Sequence, residues 1–399
     1  MMLMAVAASS TACDSGNSES VDPSPHINVS DLDVGGFTTS PGKVGSPNPT
    51  RARIMEGQRL GSVVPLAMEI DPRFKYQQGA ADDSVYAWID SQINAISNKN
   101  LEEDAKGFTA GFYTWARDDT DLLIAKSMSY SVMLFSDDVS ARNAAKALYD
   151  REIGNNAFKP PEYHFQPVAI DGNPDVFAWW VSGEGTLESF KATGRFVINL
   201  SVSDGAKRKL QEKNLVDDYR GELIDLTAKS MSTISEAMKK FEATPPDRLA
   251  AAPVDHDDML GRTLRRSPSD NADEAPGFYD QHTALHLSAD PAGDAKLFAD
   301  TGMEWMSSNG GRLYRAKNSA SAQKIFEAHS APGKLYRLIQ PPKNLPMARC
   351  HEYRGDGYGN FRFNCSVRYN NYVAEISSNQ LIDIYQRTSA QYAILESSL

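Results

Sequence analysis

The chain has 399 residues, 41 Lys and Arg against 52 Asp and Glu, a formal net charge of −11, and 3 cysteines. That length suits two or three domains, and a hydrophobic content of 41% is enough to build cores. An acidic chain repels polyanions unless its cations cluster, so no nucleic-acid partner is expected, and no apolar run approaches the ~18–20 residues of a transmembrane helix.

In chain order, Met1–Ala12 (MMLMAVAASSTA) passes from apolar to small residues and meets Cys13. This is the pattern of a secretory signal ending in a lipobox, whose cysteine is acylated after cleavage. Ser10 stands where an apolar residue is usual, and no basic residues precede the apolar run; a start upstream of Met1 would explain both. The alternative is a buried N-terminal helix carrying a free cysteine. Residues 13–50, dense in Ser, Gly, Pro, Asp and Asn, read as a flexible tether. The expected location is therefore the extracytoplasmic face of the cell membrane in a bacterial envelope. The membrane itself is a partner through the lipid on Cys13, since two acyl chains anchor stably where one does not.

Arg53–Met68 and Asp83–Ile93 read as helices, with Pro65 kinking or ending the first. A Pro/Ala-rich junction over 244–276 then separates an N-terminal domain (51–243) from a C-terminal one (277–399), and the two repeat each other weakly. Strand-like Ser131–Phe135 with the helical stripe of Ala141, Ala144, Ala145 and Leu148 matches Arg312–Ala316 with Ala322, Ile325 and Phe326. The pair Val176–Val181 and Arg195–Val202 is set against Phe361–Val367 and Asn371–Ser378. The helix beginning Leu223-Ile224-Asp225-Leu226 parallels the one beginning Leu381-Ile382-Asp383-Ile384, whose stripe is Leu381, Tyr385, Thr388, Tyr392 and Leu395. Each half thus reads β-α-β-β-α, an α+β class with an antiparallel sheet and helices on one face.

Strand periodicity sorts the remaining side chains. Phe361, Phe363, Cys365, Val367 and Tyr369 share the core face; Arg362, Asn364, Ser366 and Arg368 share the other, which Glu375 could join. That second face is either solvated or a contact surface, which makes Arg362 and Arg368 candidate ligand contacts. Val176–Val181 is apolar on both sides and needs cover on both. Burial is the expectation for Trp179 and Trp180, with ligand contact the sharper alternative. Cys350 and Cys365, the two cysteines left to pair in an exported chain, are expected to form a structural disulfide.

With these features in place, the chain resembles an uncharacterised family of actinobacterial envelope lipoproteins from mycobacteria, nocardiae and rhodococci. The resemblance rests on Leu32-Asp33-Val34-Gly35, Glu69-Ile70-Asp71-Pro72, Asp257-Asp258-Met259-Leu260-Gly261-Arg262-Thr263-Leu264, Ser377-Ser378-Asn379-Gln380-Leu381 and Gln391-Tyr392-Ala393. It implies a lipid-anchored two-domain envelope protein and no particular activity.

Motifs for chemistry are sparse: no GxSxG, no HExxH, no phosphate or dinucleotide loop, hence no catalytic set and no cofactor. His282 and His286 are four apart, a metal spacing on a helix. Their context His282–Leu287 reads as a strand, along which four residues span about 13 Å, so no metal is expected. His329 takes the place of Leu148 and reads as a satisfied core or edge histidine. Asp255-His256-Asp257-Asp258 could supply acid/base groups but is explained by charge pairing and capping. Asp171–Asp175 suggests a calcium loop yet lacks the downstream Glu, and the pairs Asp118-Asp119 and Asp217-Asp218 read as solvated surface. The expected function is non-catalytic binding of an envelope protein or lipid, through the sheet faces or the cleft between the halves. A hydrolase of envelope lipid or glycan using Asp255, His256 and Asp257, and a carrier of an apolar molecule near Trp179 and Trp180, are the alternatives.

Overall fold

The computed structural model describes residues 27–45, 48–77, 85–86, 101–121, 123–212, 219–267, 276–355 and 361–398. The expectations for Cys13, residues 1–12, Asp217-Asp218 and most of Asp83–Ile93 lie outside them.

The N-terminal half opens with helix α1 (Pro49–Leu60), capped by the Asn48 side chain with Pro at its first position. The helix ends well before Pro65, and a short α2 (Ala67–Ile70) follows. Then come β1 (Tyr76–Gln77), β2 (Val85–Tyr86), α3 (Leu101–Asp104), β3 (Phe108–Arg117), β4 (Lys126–Phe135) and α4 (Asp138–Gly154). Four strands follow, β5 (Phe165–Val168), β6 (Val176–Val181), β7 (Thr186–Thr193) and β8 (Phe196–Asp204), before α5 (Gly205–Glu212) and α6 (Arg220–Met238). The strands form an eight-stranded antiparallel sheet in the order β1-β3-β4-β8-β7-β6-β5, with β2 also on β3. Val85–Tyr86, expected in a helix, is this added strand.

Across the junction, α7 (Pro246–Leu249) and α8 (Met259–Arg262) lead to β9 (Gly277–Asp280), α9 (Gln281–His286), α10 (Pro291–Thr301), β10 (Trp305–Ser308), β11 (Arg312–Arg315) and α11 (Ser319–His329). The half closes with β12 (Tyr336–Ile339), β13 (Arg349–Tyr353), β14 (Phe363–Tyr369), β15 (Tyr372–Ser378) and α12 (Leu381–Ser398). Its seven strands run β12-β13-β14-β15-β11-β10-β9.

The duplication is visible strand for strand: β3-β4-β8-β7-β6-β5 in one half corresponds to β10-β11-β15-β14-β13-β12 in the other. Small details repeat as well. The β7–β8 turn places Gly194 at φ +53°, and the β14–β15 turn places Asn370 at φ +50°, a conformation glycine and asparagine tolerate best. The Phe135 N–H donates to the Arg195 carbonyl as the Ala316 N–H donates to that of Asn371, both at 2.9 Å. Ser230 and Thr388 each donate to the carbonyl one turn back, at 2.7 Å. The topology corrects one pairing from the sequence: β14 is the counterpart of β7, and β6 that of β13.

The α+β class and antiparallel halves are as expected, but helices cover both faces of each sheet. Helix α4 packs Ala141, Ala144 and Leu148 on Met133, Trp179, Phe190 and Val197. On the opposite face α6 packs Leu223, Met231 and Ile234 on Met128, Trp180, Ile198 and Leu200. Likewise α11 covers Tyr314 and Val373 with Ala322, Ile325 and Phe326, while α12 covers Val367, Ala374 and Ile376 with Ile394, Leu395 and Tyr392. Strands apolar on both sides demand this, and each large apolar side chain so buried contributes roughly 1.5–3 kcal/mol. In α12 the stripe starts at Ile384 rather than Leu381, which is exposed.

The tether expected over 13–50 is shorter than its composition suggests. Ile27, Val29, Leu32 and Val34 enter the apolar core beside α12, and Phe37 stacks under the Arg387 guanidinium. Five apolar side chains scattered among Gly, Ser and Asp suffice to hold an extended segment in a groove.

Candidate functional site

A cluster of polar groups with perturbed chemistry lies inside the C-terminal half. Asp294 of α10, His329 of α11 and Glu375 of β15 converge beneath the sheet. His329 Nε2 lies 3.0 Å from Asp294 and Nδ1 2.9 Å from Glu375. The Tyr314 hydroxyl donates to Glu375 at 3.0 Å and that of Ser288 to Asp294 at 2.6 Å. Burial alone would lower the His329 pKa; the Glu375 and Asp294 carboxylates outweigh it and raise the pKa to about 10. Both ring nitrogens of this imidazolium face carboxylates, leaving no lone pair for a proton or metal. His329 is thus a satisfied histidine at the edge of the core, within the core-or-edge expectation of the sequence reading. Pairing registers place Glu375 opposite Arg312 as Asn199 lies opposite Ser131, so the two polar residues share one site of the repeat. Asn199 donates to the buried Glu188, whose pKa desolvation raises to about 7.

A second cluster joins the two halves. Asp280 caps α9 through the Thr283 N–H, and the helix carries His282 and His286 on one face with ring centroids 5.4 Å apart. The strand expected for His282–Leu287 is therefore a helix: the Asp280 cap outweighs a short alternation. His282 reaches the Gly61 carbonyl (2.9 Å) and Glu69 (3.2 Å). Burial lowers its pKa, but these acceptors prevail and hold it above the ordinary histidine value. His286 is buried between the Val64 carbonyl (2.9 Å) and the Thr114 hydroxyl (3.0 Å), with the Phe112 ring edge-on at 5.0 Å. Desolvation, then the neighbouring His282 charge, drive its pKa down to about 3. The neutral ring donates from Nε2 to Val64 and accepts at Nδ1 from Thr114, which leaves no open coordination. Gly61 packs so closely that a Cβ there would sit 2.4 Å from Thr283 Cγ2 and 2.8 Å from Phe112. At α9 the space between the halves is filled.

In the junction, the Asp255 carboxylate accepts the backbone N–H groups of His256 (2.8 Å), Leu260 (2.8 Å) and Gly261 (3.0 Å). Asp257 pairs with Arg315 at 3.0 Å, and His256 lies tilted against Trp305 with centroids 4.1 Å apart. Asp257 and Asp258 take left-handed φ of +49° and +59°. Pairing and capping, as expected, account for this acidic run. Asp171–Asp175 is a turn with Gly172 at φ +71°, and Lys191 Nζ lies 3.3 Å from Asp175 where a calcium ion would be repelled.

The other sequence candidates separate. Trp179 and Trp180 are 2% and 3% exposed, on opposite faces of β6. The first stacks among Tyr149, Phe165 and Phe190 and the second meets the edge of Tyr219, so neither offers an open surface. Arg368 donates to Ser319 at 2.8 Å beneath α11. Arg362 stays outside, where it joins Arg337 and Arg354 around the buried carboxylate of Glu352. Cys350 and Cys365 face each other across β13 and β14 as a disulfide. Sequence reasoning missed Glu69, Glu188, Asp294 and Glu352. A single acid on the inward parity of an apolar strand was the available signal for Glu188 and Glu352.

Comparison with known families settles the relationship. The domain of unknown function DUF7373, N-terminal, matches residues 44–254, and its C-terminal companion matches residues 259–398. The chain belongs to the DUF7373 family. The boundary between the two family domains falls just before α8, so the DUF7373 C-terminal domain includes Met259 and Leu264, which enter its core. No curated protein matches this DUF7373 chain. Among solved structures it is similar to the extracellular domain of PknH from Mycobacterium tuberculosis, with 10% identity over 46% of this chain and 97% of that domain, at a TM-score of 0.28. Among the described residues no helix is long and apolar enough to cross a membrane.

Proposed function

We propose that this DUF7373 protein is a lipid-anchored protein of an actinobacterial envelope that acts by binding a partner rather than by catalysis. The observation that carries the reading is how completely its acid–base candidates are committed within the fold. His329 is held between two carboxylates, His286 between a hydroxyl and a carbonyl, Asp255 by three N–H groups and Asp257 by Arg315. A hydrolase needs such groups free to exchange protons with a substrate. With both sheet faces covered, the surfaces left for a partner are the sheet ends and edges. The anchor rests on the sequence at Cys13. The test is membrane fractionation of the full-length protein in its native host: the wild type sediments with membranes and Cys13→Ala appears in the soluble fraction. A Cys13→Ala chain that stays equally membrane-bound overturns the anchor. A hydrolytic activity on envelope lipid or glycan that is lost in His256→Ala overturns the non-catalytic reading.

A further inference from the structure

At one end of the C-terminal sheet β12 and β14 begin, β13 and β15 finish, and α12 starts. Tyr336 pairs with Tyr353, the Tyr353 N–H donates to Arg362, and Phe363 pairs with Ser378. The Arg354 N–H donates to Leu335, and the Arg362 N–H to the Asn379 side chain. This end carries a concentration of uncovered apolar side chains: Leu335 is 55% exposed, Phe361 50% and Ile382 70%, with Leu381 at 41% beside them. Among them stand Arg337, Arg354 and Arg362, whose side chains are 59%, 54% and 61% exposed. The acid they share is Glu352, itself only 5% exposed beneath them. Among the described residues, three guanidinium groups on one covered carboxylate present excess positive charge outward, on a chain whose net charge is −11.

From this we infer that the end of the C-terminal sheet formed by Leu335, Phe361 and Ile382 with Arg337, Arg354 and Arg362 docks on an anionic lipid surface. Aliphatic side chains mixed with arginine make the composition of an interfacial membrane contact: the apolar groups enter the acyl boundary while the guanidinium groups meet lipid phosphates. An acidic peptide would be served by the arginines alone and would give the exposed Leu and Ile no role. The inference rests on the envelope reading above only in requiring a membrane within reach.

The test uses the full chain as Cys13→Ser, which carries no lipid, in co-sedimentation with phosphatidylglycerol/phosphatidylcholine vesicles and with phosphatidylcholine vesicles alone. Binding is expected to the anionic vesicles only and to weaken with salt. Arg337→Gln and Arg354→Gln should each weaken it roughly fivefold, and Leu335→Ser with Ile382→Ser about tenfold. These side chains are exposed, so the variants fold, and near-wild-type melting confirms it. Leu123→Ser, on an exposed residue of the other half, should change nothing. No binding to anionic vesicles, equal loss in Leu123→Ser, or binding of a soluble acidic peptide in place of vesicles overturns the surface. Failure of the anchor is separate: a Cys13→Ser chain that binds vesicles keeps the surface whatever becomes of the lipid.

Discussion

His329 of α11 and Glu375 of β15 lie 2.9 Å apart beneath a sheet, and Asp294 closes the other side of the ring at 3.0 Å. A half-buried cation between two half-buried anions is balanced only while the proton stays. His329 is held at about 10, above the ordinary 6.5, so the folded state keeps a proton that the unfolded chain releases. Its contribution is complete below about pH 6.5 and is lost as pH rises through 10. Thermal melts from pH 6 to 10 should therefore fall, and His329→Gln should flatten that limb. The variant should also be less stable by about 3–5 kcal/mol near neutrality, as when one partner of a buried ion pair is removed. An unchanged alkaline slope in His329→Gln would refute the assignment.

His286 has the opposite sign. Its pKa is pushed down to about 3, so between pH 6.5 and 3 the unfolded chain takes up a proton that the folded interface refuses. Stability should be lost as pH falls across that window. Replacing His286 with Gln, which can still accept from Thr114 and donate to Val64, should make the acid limb shallower than in the wild type. Melting between pH 4 and 7 measures it, and parallel wild-type and variant curves would count against the buried neutral ring.

Gly61 separates contact between the halves from the stability of each. A Cβ there meets Thr283 and Phe112, so Gly61→Val should force α9 off the first sheet at a cost of about 1–3 kcal/mol. Small-angle scattering should report a larger radius of gyration, and limited proteolysis faster cleavage in 244–276. A variant with wild-type scattering and cleavage would show that the interface yields without opening.

The Cys350–Cys365 bridge closes a span of 15 residues between paired strands. The chain-entropy relation gives about 3 kcal/mol for a loop of this size. The double Cys350→Ala, Cys365→Ala variant, or reduction of the wild type, should lower denaturant-measured stability by about that amount. Loss below ~1 kcal/mol would mean that the reduced chain already holds the hairpin.

Much of the architecture was legible because the repeat is carried by spacing. A strand and an alanine-rich helix recur, and terminal helices begin alike, so the matches of β4-α4 and of α6 with α12 were readable. The middle strands were misaligned because β6 and β14 look alike for different reasons, one apolar on both sides and the other strictly alternating. The expectation of helices on one face fell short, although Val176–Val181, apolar on both sides, already called for cover on each. The polar clusters were hidden because each is assembled from distant segments: Glu69 meets His282 and Asp294 meets His329 only after the sheets form. His282 and His286 show a further limit, since a single capping aspartate changed their geometry from strand to helix.

The segment 33–39 lies along the last helix: Gln386 donates to Asp33, and Ser397 to the Thr39 carbonyl at 3.0 Å. The first part of the described chain is therefore completed by the last. During synthesis this strap emerges early yet has nothing to rest on until α12 arrives, more than 340 positions later. Contacts of such sequence separation are slow to form, because a long loop must close before they repay its entropy. Although built as a duplicate, the protein reaches its finished state as one unit, fastened by its own beginning.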